Sequence, residues 1–524
     1  MIKIIKYHSV NNYNIIMKMK KLKELAIFEQ EQLLPIELQT IMVVVCNQAM
    51  KDFILELIFL LPLVGVIYSE HFPRIAIIGG GIGGTSAAHF VRNLFQNQKC
   101  DIHLYEPSNI GGRLATVEIS GRKYEAGGSI VHEKNFYMKN LSESLGLKRR
   151  DPVSGLLGIY NGKEYVFKET KNQAVNIGKL LWRYGWSIIK LWFWIKSMLD
   201  NFVRIYVIQD KGYAFSGVSQ LLYAMEKNFP NYTQESFKDY MMKSGFSEKL
   251  TSEIGQSVTR VNYGQTTNVN AFVGAVSLAA SDSGLWSVSG GNKEVPEKLL
   301  EKANVVVHKK PVLSITLMKD ESFEIKESMD SASALYDVVI VAVPLIDGIS
   351  KIKFNNFPTK IQNFKGKYHR TVATYVNGKV NMSAIGLQPA DHLDGVITIN
   401  PELPFNSLGK VYPVDYKKDE TVPEVWKIFS QKPLTDDFMS EMFESITEVK
   451  VVDWLAYPQY TPPDALQPFV LHPGLYYVNA IEWAASAMEM SIIAARNAAL
   501  LSYYYWMKTS DMIDNVQLSS KDEL

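Results

Sequence analysis

Three glycines and one carboxylate, Gly79-x-Gly81-x-x-Gly84 and Glu106, have the types and spacing to hold a dinucleotide. Gly79 permits a sharp turn, Gly81 lets the main chain approach a pyrophosphate, and Gly84 lets a helix pack closely on the strand before it. Ile82 and Gly83 lie in the turn that leads into that helix, whose N-terminus, with free N–H groups and the positive end of its dipole, favours a phosphate. Glu106 comes about 20 residues after the last glycine, at the place of an acid that accepts from a ribose hydroxyl. A glycine-rich turn alone is weak evidence, and the acid provides a second test of it. Further along, Gly111-Gly112-Arg113 and Ala126-Gly127-Gly128-Ser129 are denser in glycine than ordinary loops.

These residues need a scaffold. Residues 75–78 read as a buried parallel strand, 85–95 as a helix and Asp101–Tyr105 as a second strand. Residues 116–120 and Arg122–Glu125 read as a hairpin, 289–300 as a glycine-rich turn into a short helix, and 308–315 as a strand. The apolar run 337–344 ends in Pro344 and reads as a strand returning to a parallel sheet covered on both faces. A last return, 474–480, leads through Glu482 into a long Ala- and Met-rich helix over 484–505. The fold class is therefore α/β, a Rossmann-like domain built from discontinuous segments with an inserted α+β domain. Its segments are expected at 70–150, 289–350 and 469–506, with the inserted domain at 151–288 and 351–468.

The Gly-Gly-Arg after the ribose acid, followed by a second glycine-rich turn, resembles flavoproteins of the amine oxidase type. The run Tyr124-Glu-Ala-Gly-Gly-Ser-Ile-Val-His132 narrows this. Taken with Arg260-Val-Asn-Tyr-Gly-Gln265, Ser289-Gly-Gly-Asn-Lys293 and Gly474-Leu-Tyr-Tyr-Val-Asn-Ala480, it resembles the prenylcysteine oxidase family, also called prenylcysteine lyase, from Arg74 to about Tyr505. The resemblance implies FAD, and the poor placement of Cys100 for a covalent link favours a noncovalent one. Gly112, Arg113, Gly128 and Ser129 would approach the pyrophosphate and flavin, Val312 the adenine side, and Glu482 a ribityl hydroxyl. It also implies the substrate, an S-farnesyl- or S-geranylgeranyl-cysteine. Hydride would leave the allylic carbon beside sulfur for the flavin, water would attack the cation, and the hemithioacetal would collapse to cysteine and a prenyl aldehyde. Oxygen would take the electrons and leave as hydrogen peroxide. No catalytic residue and no metal ligand is assigned; His132 and Arg260 are candidates for holding the amino-acid end, each with a structural role as the alternative. A flavin amine or polyamine oxidase and an inactive lumenal lipid carrier are the competing readings.

The 524 residues and a net charge of +1 fit a large globular protein without the basic tract of a nucleic-acid binder. Of the two cysteines, Cys46 lies upstream of the expected mature start and Cys100 precedes the ribose strand, badly placed to link a flavin. Residues 1–49 show no fold pattern, and 50–69 resemble a secretory signal peptide with Met50 as initiator. An uncut signal anchor is the alternative. The tail 507–524 ends in Lys521-Asp522-Glu523-Leu524, an address read by the KDEL receptor. With sequons at Asn140, Asn231 and Asn381, this points to the lumen of the endoplasmic reticulum, with the lysosome as alternative. Residues 180–209 are rich in Trp, Phe, Ile and Leu, with Arg183, Lys190, Lys196 and Arg204 six to eight residues apart. A core-packing helix and a peripheral membrane contact are both compatible with that pattern.

Overall fold

Ile75, Ala76, Ile77 and Ile78 exclude water almost completely, which suits the middle of a covered parallel sheet. In the computed structural model, which describes residues 72–96, 99–153, 155–279, 284–327, 333–388 and 391–516, strand Arg74–Ile78 takes that position. It pairs in parallel with Asp101–Tyr105 on one side and Val338–Val341 on the other. Val306–His308 extends the sheet beyond Asp101–Tyr105. Leu475–Tyr477 lies in parallel beyond Val338–Val341, and antiparallel Val470–His472 closes that edge. Three distant stretches of chain thus build one six-stranded sheet. Burying an Ile or Val side chain stabilises by about 1.5–3 kcal/mol, and the two central strands bury all their Ile and Val residues.

Helix Ile82–Leu94 follows the first strand and packs against helix Met488–Met507. Small residues allow the approach: a side chain at Gly83 would meet Ser491 Cβ at 3.8 Å and Val478 Cγ1 at 3.1 Å. The hairpin Thr116–Ile119 and Arg122–Glu125 turns at Ser120 and Gly121, both left-handed, as a tight two-residue connection requires.

The insert centres on a seven-stranded sheet. Its order is Phe443–Pro458, Tyr368–Val380, Val425–Ser430, Ser407–Val411, Gly395–Thr398, Leu157–Tyr160, Tyr165–Lys168. Between residues 173 and 279 the chain is helical. The described residues from Phe72 onward pack as one compact unit.

Several expected elements divide. Residues 308–315 are not one strand: Val306–His308 joins the six-stranded sheet, and Ser314–Leu317 joins a separate four-stranded one. Pro311, which lacks an N–H and restrains the residue before it, lies at the break. The closing helix begins at Met488 because Val478–Trp483 first makes a tighter turn of helix. The aromatic stretch forms three helices, Gln173–Tyr184, Trp186–Phe202 and Arg204–Asp210, interrupted at Gly185 and Val203. The signal-like segment, Met50, Cys46 and the KDEL tetrapeptide lie outside the described residues.

Candidate functional site

The glycine turn leaves the sheet at the carboxyl ends of its parallel strands, where ligands of such sheets collect. Gly79 has φ +111°, and a side chain there would lie 2.5 Å from the Ala342 carbonyl oxygen. At Gly84 a β-carbon would sit 1.9 Å from the Gly79 carbonyl oxygen, so only glycine fits beneath the turn. Gly81 differs: a β-carbon there would meet only the Gly111 carbonyl oxygen, in ordinary contact at 3.9 Å, so the protein leaves room in front of it. Gly112, with φ +57°, backs onto the Gly81 Cα. No side chain caps helix Ile82–Leu94, and its first turn holds no acid. A largely buried helix end of this kind, fronted by space beside Gly81, is built for an anion.

Glu106 is oriented by main chain. Its two carboxylate oxygens accept from the Gly80 N–H at 2.9 Å and the Ser108 N–H at 2.8 Å. Each oxygen retains a lone pair for a hydroxyl. The Glu106 N–H donates to the His308 carbonyl, so the chain leading to buried Val312 passes beside Glu106.

Arg113 and Glu482 meet as an ion pair, although 369 residues separate them. Glu482 is 1% exposed. Besides Arg113 it accepts from the Tyr368 hydroxyl at 2.5 Å and the Asn479 amide at 3.0 Å. Arg113 also donates to the Ala456 carbonyl. Lost hydration works against the Arg113 charge, although about a third of its side chain still meets solvent, and Glu482 outweighs that loss and holds the guanidinium above its ordinary value. The protein's own donors therefore occupy Glu482, and a ribityl hydroxyl would have to share its oxygens.

Gly128 lies where the second glycine loop meets the closing helix: a side chain there would strike Leu114 at 2.7 Å and the Met488 sulfur at 3.3 Å. Its carbonyl accepts from the Asn292 side chain at 2.9 Å, while the Asn292 N–H donates to Glu125 at 2.7 Å. Asn292, fully buried, thereby ties the 289–293 loop to this turn. Ser129 beside it is partly exposed. Burial pushes the Glu125 carboxyl up to about 7 against the opposing pulls of the Asn292 N–H and Lys427, and burial brings Lys427 down to about 8.

Glu489 carries no signal in the sequence. From the first turn of the closing helix it accepts from the Tyr137 and Met138 N–H groups at 2.7 and 3.0 Å and from the Tyr206 hydroxyl at 2.6 Å. It thus serves the first turn of helix Phe136–Ser144, and burial raises its carboxyl to about 7.

The two candidates for the amino-acid end both make hydrogen bonds within the fold. Arg260 is 1% exposed and donates to the Thr398 carbonyl and hydroxyl and to the Phe405 carbonyl at 2.9–3.2 Å. It fastens helix Gln256–Tyr263 to strand Gly395–Thr398, and burial lowers it to about 10. The His132 N–H donates to Asn135 and its Nδ1 accepts from the Lys134 N–H, shaping the turn into helix Phe136–Ser144. Buried Cys100 sits at the opposite end of its strand from the glycine turn and accepts from Arg92.

A family model described as prenylcysteine lyase matches residues 167–515, and one described as an NAD(P)-binding Rossmann-like domain matches 77–145. Prenylcysteine oxidase 1 of Homo sapiens is 44% identical over 469 residues, covering 86% of this chain and 92% of that protein. The Bos taurus protein of the same name is 41% identical, with 85% and 91% covered. Among solved structures, cyclohexylamine oxidase from Brevibacterium oxydans IH-35A aligns with a TM-score of 0.57 at 13% identity over 83% of this chain and 100% of that one, a likeness of fold alone. With one family model spanning more than half of its length and relatives above 40% identity over most of both chains, this chain belongs to the prenylcysteine lyase family.

Proposed function

We propose that this chain is an FAD-dependent thioether oxidase that cleaves S-farnesyl- or S-geranylgeranyl-cysteine to cysteine, a prenyl aldehyde and hydrogen peroxide. The observation that carries the cofactor reading is the pair of opposite glycines: Gly84 is sealed by the Gly79 carbonyl, while Gly81 faces space in front of an uncapped helix. Gly79, Gly81, Ile82, Gly83 and Gly84 would carry the pyrophosphate on main-chain N–H groups. Glu106 would accept from the adenosine ribose, and Val312 would flank the adenine. Gly112, Gly128 and Ser129 would allow close approach, with Arg113 and Glu482 locking the two walls together at the flavin end. When bound, the flavin supplies a hydride acceptor that oxygen can reoxidise. The protein must then exclude water from the prenyl chain and hold the thioether at a fixed angle.

The division into a cofactor domain at 70–150, 289–350 and 469–506 and a substrate domain at 151–288 and 351–468 belongs to the same proposal. So does residence in the secretory lumen, the endoplasmic reticulum by way of the KDEL receptor or else the lysosome. Asn140 and Asn231 are exposed, as glycan acceptors must be. The test is to purify the protein, record its visible spectrum and follow peroxide with farnesylcysteine. A yellow protein that makes peroxide and prenyl aldehyde is expected. Turnover of amines but not prenylcysteine would select an amine oxidase, and a colourless protein would select a lipid carrier.

A further inference from the structure

Helix Gln173–Tyr184 buries only Tyr184 among its twelve residues. Its apolar side chains face outward: Val175 is 45% exposed, Ile177 55%, Leu181 40% and Trp182 90%. At Gly185, φ +55°, the chain bends into helix Trp186–Phe202, and Trp186 at the start of that helix is 82% exposed. Trp192 and Phe193 continue the surface at 58% and 60%. A β-carbon at Gly178 or Gly185 would meet nothing within 4 Å, so the corner stands clear of the body. A single exposed apolar residue needs no explanation, but two nearly bare tryptophans at one bend, the first of them on a helix that buries almost nothing, do.

The charges around the corner decide what covers it. Between residues 173 and 202 the cations are Lys179, Arg183, Lys190 and Lys196, against Asp200 alone. Arg183 is spent on Glu253 at 2.6 Å, and Asp200 is neutralised by Lys134 at 2.6 Å. Lys179 and Lys190 donate to the main-chain carbonyls of Lys168 and Ser244, and Lys196 makes no ion pair among the described residues. An apolar tip on two helices whose lysines have no carboxylate partners disfavours a second copy of itself and suits a bilayer leaflet, where tryptophan sits at the headgroup level and lysines meet lipid phosphate. Among the described residues no helix is long and apolar enough to cross a membrane.

We propose that the Trp182–Gly185–Trp186 corner docks this protein onto a lipid surface, seated in one leaflet without spanning it. The helix behind the corner, Trp186–Phe202, packs on Ala271–Ala279, and Asn270 at the head of that segment donates to the Trp483 carbonyl, next to Glu482. The docked corner is therefore joined through one buried helix to the flavin end of the site, which suits a substrate whose prenyl chain partitions into bilayers.

The test is flotation of the full protein with phosphatidylcholine vesicles, with and without phosphatidylserine, comparing wild type with the double variant W182S/W186S. Wild type is expected to float with both, more tightly with phosphatidylserine, and its tryptophan fluorescence should be quenched by brominated phosphatidylcholine. The double variant should bind at least about tenfold more weakly and lose most of the quenching, while peroxide formation from detergent-dispersed farnesylcysteine stays unchanged. Wild type that does not float, binding unchanged by the substitutions, or a solution dimer that W182S/W186S dissociates would each overturn the proposal. Absence of peroxide from wild type in detergent would instead count against the proposed reaction and leave the docking result to stand alone.

Discussion

The glycine turn at Gly79–Gly84 and the aromatic corner at Gly185 both leave something unsatisfied, in opposite ways. At the turn the unmet groups are main-chain donors at an uncapped, largely buried helix end. At the corner they are apolar side chains held out in water. The first calls for a compact anion within the fold, and the second for an apolar phase outside it. The contrast shows in how the two glycines are held. Gly84 is locked by a carbonyl 1.9 Å from where a side chain would begin, whereas Gly185 has open space on that side and is needed only for its left-handed bend. Substitutions at the turn should therefore cost folding or cofactor, and substitutions at the corner should cost neither.

The largest effect expected is for Gly84→Ala. Its methyl cannot avoid the Gly79 main chain, so stability should drop by about 3 kcal/mol, read from chemical denaturation or from failure to recover soluble protein. A wild-type denaturation midpoint would show that the strand–turn–helix packing is misread.

Next comes Arg113→Met. Glu482 keeps the Tyr368 hydroxyl and the Asn479 amide but loses its counter-charge in a buried site. A loss of about 1–2 kcal/mol is expected, less than for a fully buried pair because about a third of the Arg113 side chain is exposed. Adding Glu482→Gln should recover part of it, and a double-mutant cycle measures the coupling. Additive single effects would mean that the pair does not hold the two walls together.

The pH dependence is smaller. Glu125 and Glu489 each have a folded carboxyl raised from 4.5 to about 7. A carboxyl raised on folding binds its proton more tightly in the native state, so its contribution is fully present below about pH 4.5 and is lost as the pH rises towards 7. The thermal midpoint should fall over that interval, and Glu489→Gln should flatten the fall. A midpoint that climbs from pH 5 to 7, unaltered by the substitution, would refute the neutral-carboxyl picture. The smallest effect belongs to the corner: W182S/W186S should leave stability within about 0.5 kcal/mol of wild type. A larger loss would mean that the tryptophans are packed.

Much of the six-stranded sheet was legible because its signals are local. An unbroken apolar strand, a glycine triplet and an acid at fixed spacing need no knowledge of distant residues. Family membership was legible in several short motifs in order. What escaped depends on contacts across hundreds of positions. Nothing near Glu482 announces that Arg113 and Tyr368 will reach it, and nothing near Glu489 announces two amides of another helix. Arg260 and His132 are candidates from sequence with a structural role as the alternative, because a polar residue within a motif reads the same whether it holds a substrate or, as Arg260 does, main-chain carbonyls. The stretch 180–209 looked like one amphipathic helix because its periodicity runs on through Gly185, whose left-handed bend rotates the face.

The central claim, that the space beside Gly81 belongs to the pyrophosphate of FAD, is tested most directly by Gly81→Ala compared with wild type in visible absorbance and thermal midpoint. The added methyl meets only the Gly111 carbonyl oxygen, at 3.9 Å, so the variant should melt with flavin-free wild type, below the flavin-loaded protein, and purify with little or no flavin colour. A variant as yellow as wild type, with equal peroxide production, would put the cofactor somewhere else.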